Sequence, residues 1–239
     1  MTLDHLLQEL FPRERVLDET RADFVRGTAL VGGETVVFLG TANATEIGAA
    51  LVLALSAAVL DTIRHHPGRT IILLLDTEGQ RLRRREELLG LNGYMAHLAK
   101  CIEIARSRGH RIISLVYGHA VSGGYLTTGM MADAAFALAD AEIKVMNLPA
   151  MARITRIPLE RLEALSVDSP VFSPGVRNYF QMGHLDGIWD SDLGKHLEDA
   201  VLRLRAAPAS ASDQRMARGR ERGGRTSALA VAERIRHHE

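Results

Sequence analysis

Two apolar runs constrain this chain's fold more than any other feature: Ile71-Ile72-Leu73-Leu74-Leu75 and Ile112-Ile113-Ser114-Leu115-Val116. A strand with one face in water alternates apolar and polar residues. A near-continuous apolar run is buried on both faces, as strands of a parallel sheet are. Between the two runs, Leu88, Leu91, Met95, Leu98, Ile102 and Ala105 step by three and four. That spacing predicts one long helix from about Leu82 to Arg108 with a single buried face, ended by Gly109. Strand, helix, strand with the usual right-handed crossover makes the fold class α/β, helices covering a sheet.

Upstream, Leu3, Leu6, Leu7 and Leu10 mark a short amphipathic helix over residues 2–10, and a polar segment follows to about Asp23. Phe24 to Leu39 alternates around Val31-Gly32-Gly33-Glu34 and predicts two strands joined by a tight turn. Asn43, three residues before Glu46, is expected to cap a helix that runs to about His65. That helix carries Ile47, Leu51, Leu55, Ala58 and Thr62 on one face and stops at Pro67-Gly68. Ala134–Ala139 and Glu142–Val145 are expected strands. Helices are expected over 147–153, 158–166, 173–182 and 191–206, broken at Pro170 and Pro174. Residues 206–212 read as a linker, and a basic helix interrupted at Gly223-Gly224 follows. The expected organisation is a body over 1–206 and an appendage over 207–239.

Charge and cysteine content narrow the function classes. The 239 residues carry no net charge, with 46% apolar and 24% charged residues, enough for a real core. Arg203 to Glu239 holds nine Arg against four acids, so the remainder is acidic. With no aromatic residue in that basic stretch for base stacking, nucleic acid is not the expected partner. Cys101 is the only cysteine, which excludes a disulfide framework or zinc ribbon and is compatible with a cytoplasmic location. It is expected in the core beside Leu98 and Ile102. The N-terminus has no basic leader, and the longest apolar stretch, Ile47 to Leu60, is too short to span a bilayer, so no membrane association is expected. No metal site is read, since His237-His238 lacks further ligands.

The chemistry is expected where the second apolar run ends, in Gly118-His119-Ala120-Val121-Ser122-Gly123-Gly124-Tyr125. Small residues lead from a strand into a helix over Leu126–Met131, whose first N–H groups lack partners and favour negative charge. Gly79 and Gly123 both follow the C-terminal ends of buried strands, the usual ligand side of an α/β sheet. Glu78-Gly79-Gln80 is positioned to supply a second backbone donor, and two converging N–H groups would stabilise an oxyanion. The same glycines also satisfy a purely structural need for close packing. Ser122 is alternatively a nucleophile if a base such as His119 or His184 reaches it, or a helix cap. The Arg81, Arg83, Arg84, Arg85 cluster is either a solvated loop or an anion contact.

Several stretches together resemble a known family. Asp76-Thr77-Glu78-Gly79-Gln80, Gly93-Tyr94-Met95-Ala96-His97-Leu98-Ala99-Lys100 and Gly118–Tyr125 resemble carboxyltransferase subunits of the crotonase superfamily. Met130-Met131-Ala132-Asp133-Ala134, the run Ile143 to Arg153 and Ile157-Pro158-Leu159-Glu160-Arg161-Leu162 are similar to the gamma subunit of biotin-independent malonate decarboxylase. The resemblance implies a crotonase-like ββα superhelix with a C-terminal helical region. It implies a beta-type decarboxylase subunit, an acyl-carrier protein and an acyl-carrier transferase as partners. The substrate implied is a malonyl thioester on a phosphopantetheine-type arm derived from dephospho-CoA, with no cofactor bound to this chain directly. It implies that Ser122, Gly123 and Gly124 are catalytic and that Gly79, Gln80, His119 and Tyr125 contact substrate. Three other readings remain open at this level: an alpha-type subunit of a biotin-dependent acyl-CoA carboxyltransferase, a serine peptidase built on Ser122, and a scaffold without chemistry of its own. The proton donor to the product enolate is open too, with Tyr125, His119 and water as candidates.

Overall fold

The structure, a computed structural model, describes residues 1–168, 174–207, 213–224 and 226–236. Residues 208–212 of the expected linker over 206–212, Pro170 and His237-His238 lie outside the described residues, while Ala206 is the last residue of a helix. The chain opens with helix α1 (Leu3–Leu10), capped by Thr2, and strands β1 (Arg15–Thr20), β2 (Phe24–Val31), β3 (Glu34–Thr41) and β4 (Thr45–Ile47). Helix α2 (Ala49–His65), strand β5 (Ile71–Gln80), helices α3 (Arg84–Leu88) and α4 (Leu91–Ser107) and strand β6 (Ile112–Val121) form the central crossover units. Helix α5 (Ser122–Leu126) and a 3-10 turn (Gly129–Met131) lead to β7 (Ala134–Leu138) and β8 (Glu142–Lys144). Then come α6 (Leu148–Thr155), α7 (Leu159–Asp168), α8 (Val176–Gln181), β9 (Gly187–Trp189), α9 (Leu193–Ala206), α10 (Arg215–Glu221) and α11 (Thr226–Arg236).

One sheet runs in the order β1-β2-β3-β5-β6-β7-β9, with β4 beside β5 and β8 beside β6. The first three strands are antiparallel, and β3, β5, β6, β7 and β9 are parallel. The two apolar runs are its centre. Ile71, Leu73 and Leu75 pack toward α2 and α4, while Ile72 and Leu74 pack toward α1 and α9. Each such side chain contributes about 1.5–3 kcal/mol through burial, so one run anchors two cores.

Local readings fail where a long-range contact decides. Asn43 does not cap α2: it sits in a turn at φ +58°, and residues 45–47 pair with β5 as a strand. The helix starts four residues later than Thr45, at Ala49, whose N–H donates to Glu86 Oε2 at 2.9 Å. A buried carboxylate 37 positions away thus does the cap's work. The expected helix over 82–108 is two helices. The chain turns at Gly90 (φ +70°), and Leu88 lies outside, 77% exposed, while Leu91, Met95, Leu98, Ile102 and Ala105 form the buried face as expected. Gly118 to Val121 is still strand, so the turn into the helix occurs at Ser122, and that helix ends at Leu126. Strands β1 and β9 were not anticipated: β1 is a largely exposed edge strand without alternation, and β9 is three residues long.

Three arginines of the basic segment bond to the body. Arg218 pairs with Asp186, Arg222 Nη1 donates to the carbonyls of Phe180 and Leu185 (2.7 and 2.8 Å), and Arg215 Nη1 donates to Met130 O. These bonds seat α10 against α8 and the start of β7.

Candidate active site

β5 and β6 end side by side, and their last residues make the site. From Asp76 to Gln80 burial alternates, with Thr77 and Gly79 buried and Asp76, Glu78 and Gln80 at least partly open. This two-residue period places Asp76, Glu78 and Gln80 on one face. Asp76 and Glu78 reach the end of β6, and Gln80 reaches the first turn of α5. Asp76 Oδ1 accepts from the His119 amide and Oδ2 from the Ala44 amide, both at 2.8 Å. Glu78 Oε1 bonds His119 Nδ1. Gln80 Oε1 accepts from the Gly123 amide at 3.0 Å.

The turn itself is strained and close-packed. Ser122 adopts φ +48°, a left-handed conformation that costs a side-chain-bearing residue roughly 1–2 kcal/mol. Gly79 has φ +93°, and a Cβ there would lie 2.9 Å from Val121 O. A Cβ on Gly124 would lie 2.9 Å from Gly79 Cα, so the two glycines let α5 sit directly on β5. The structural need read from sequence is therefore real at Gly124. At Gly123 the nearest atom is only the mobile end of Gln80, so its lack of a side chain leaves the amide approachable.

The structure redraws several expectations. Gly79 N–H donates to Thr77 Oγ1 at 3.0 Å and is not a second donor beside Gly123. What β5 brings there is the Gln80 side chain. Tyr125 does not contact this face. It is 2% exposed, its hydroxyl is hydrogen-bonded to His184 Nε2 at 2.7 Å, and burial, with Tyr179 nearby, holds its pKa far above an ordinary phenol's. Among the described residues, no hydrogen bond joins Ser122 Oγ to a histidine, which leaves the nucleophile reading without its base. Arg81 and Arg83 lie against Glu46, at 3.7 and 3.3 Å, as a partly solvated pair cluster.

Sequence reasoning had not connected Glu78, Glu142 and Lys144 to His119. Glu142 Oε2 lies 4.0 Å from His119 Nε2, and Lys144 Nζ holds Glu142 Oε1 at 2.9 Å. The alternation of Asp76, Glu78 and Gln80 was the available signal. A cavity of about 650 Å3 lies elsewhere, between α10 and the start of β7, lined by the pairs Arg106–Asp133, Arg215–Asp213 and Arg218–Asp186. None of residues 119–124 lines it. Among the described residues no group of three His, Cys, Asp or Glu is arranged to hold a metal, and no helix is long and apolar enough to cross a membrane.

A sequence model described as malonate decarboxylase gamma subunit matches residues 42–239. The chain belongs to that family. A curated relative from Malonomonas rubra, a malonyl-S-ACP:biotin-protein carboxyltransferase, is 32% identical over 168 residues, 66% of this chain. The chain spans 58% of that relative's length. A chain of a Pseudomonas malonate decarboxylase hetero-tetramer in complex with coenzyme A superposes with TM-score 0.81 at 25% identity, covering 98% of both chains. The Pseudomonas MdcD-MdcE hetero-dimer gives 0.76 at 25% identity, covering 98% of this chain and 97% of that one. The fold is that of the crotonase-like carboxyltransferases.

Proposed function

We propose that this chain, paired with a beta-type subunit, decarboxylates the malonyl thioester of an acyl-carrier protein to the acetyl thioester and CO2 without biotin. The observation that carries the reading is the Gly123 amide, already aimed at a side-chain oxygen 3.0 Å away on an open face at two strand ends. A substrate oxygen replacing Gln80 Oε1 would meet the same donor. Loss of CO2 leaves an enolate, so the site must hold negative charge on oxygen more tightly in the transition state than in the substrate. On this reading the partner holds the thioester carbonyl. Ser122, Gly123 and Gly124 face the malonyl carboxylate or the emerging CO2 and fix the orientation of the breaking C–C bond. Gly79 supports Gly124, and Gln80 marks the oxygen position. The carrier protein delivers the substrate on its arm, and an acyl-carrier transferase subunit exchanges its acetyl and malonyl groups.

Replacing Gly123 by Val tests this in the assembled complex. Turnover should fall by about 100-fold or more, the scale of a misplaced reacting group. Near-normal turnover would sink the assignment. The name of the Malonomonas rubra relative supports a second reading, in which the carboxyl group passes to a biotin-bearing protein. Carbon dioxide release that requires added biotin protein would favour it.

A further inference from the structure

The proposed reaction needs a proton that none of the backbone groups can supply. Tyr125 is closed off in the core by His184. His119 is placed differently. It lies on β6 three residues before Ser122, on the same open face of β5 that presents Gln80 to Gly123. Glu78 and Gln80 are two residues apart on that face, so the Glu78–His119 and Gln80–Gly123 contacts stand roughly 7 Å from one another. A malonyl group bound at the Gly123 amide would thus have the imidazole beside it.

The ring is held at both levels. Asp76 Oδ1 accepts from the His119 backbone amide, and Glu78 Oε1 from Nδ1–H, the donor role a carboxylate requires of that nitrogen. Nδ1 is then occupied and Nε2 is the nitrogen left for chemistry. Glu142 Oε2 lies 4.0 Å from it, beyond hydrogen-bond range, and Glu142 is drawn aside by Lys144 at 2.9 Å. A carboxylate on Nδ1 with a free Nε2 is the arrangement of a general acid–base histidine.

Resting on the decarboxylase reading above, we propose that His119, oriented by Glu78, delivers the proton that converts the enolate to the acetyl thioester. The C–C bond to the carboxylate breaks, and its electron pair enters the enolate as CO2 leaves. With the ring entering the step as the imidazolium, a C–H bond forms at the former methylene carbon as its Nε2–H bond breaks, and the neutral ring left behind regains a proton from water. One proton is taken up for each CO2 released. Glu78 is a positioning residue in this scheme.

The test uses the chain assembled with its beta-type partner and the malonyl thioester of the acyl-carrier protein, assembly being checked by size. His119→Ala and the bulkier His119→Gln should lower kcat by roughly 100-fold or more with KM changed little, the usual scale for a general acid. Added imidazole should restore turnover to His119→Ala, and Glu78→Gln should fall between wild type and the His119 variants. Assembled His119→Ala that turns over normally, or that imidazole does not rescue, would overturn the assignment. A wild-type complex that releases no CO2 would instead refute the decarboxylase reading itself, so the two failures are distinct.

Discussion

Gly123 and Gly124 are adjacent and chemically identical, yet they answer to different constraints. A Cβ on Gly124 runs into the backbone of Gly79, which is itself pinned at φ +93° between β4 and β6. Neither backbone can step aside. Gly124→Ala should therefore lose about 1–3 kcal/mol of stability in a urea titration, the cost of overpacking. Gly123→Ala displaces only the end of Gln80 and should stay within about 1 kcal/mol of wild type. Equal losses at both positions would contradict this packing. The sequence marked Ser122-Gly123-Gly124 as special because small residues follow an apolar run, but which glycine packs and which presents its amide depends on what lies across the strand gap. His119 was legible as a candidate. Its Glu78 partner was not connected to it, since the two are 41 positions apart and meet only when β5 and β6 align.

At the scale of elements, the legible parts were those with a strong local period. The buried strands β5 and β6, the hairpin β2–β3 and the inner face of α4 all follow from apolar spacing. The failures were set by distant contacts: Glu86 on the start of α2, and β5 beside residues 45–47. Helix α10 makes a prediction of its own. Paired hydrogen bonds from Arg215 hold the Asp213 carboxyl at about 2, below its ordinary 3.8. A depressed carboxyl contributes stability that is complete above about pH 4 and is lost as pH falls through 2. The hydrogen-exchange protection of α10 relative to α4 should drop between pH 4 and pH 2, and Arg215→Ala should remove that step. A wild-type α10 as protected at pH 2 as at pH 6 would contradict it.

At the scale of the molecule, the described residues at the ends of β5 and β6 leave a face partly open to solvent. Asp76, Glu78, Gln80, His119 and Gly123 line up on that face, with the side chains of His119 and Glu78 39% and 41% exposed. Water reaches such a face freely, and oxyanion stabilisation is strongest where water is excluded. The proposed beta-type partner is what would close it, which makes the function a property of the pair. The measurement that bears most directly on this is CO2 release from malonyl-thioester carrier, with biotin absent, by this chain alone, by the beta-type partner alone and by the two mixed. The account predicts release from the mixture and none above background from either chain by itself. Release from the partner alone at the rate of the mixture would contradict it.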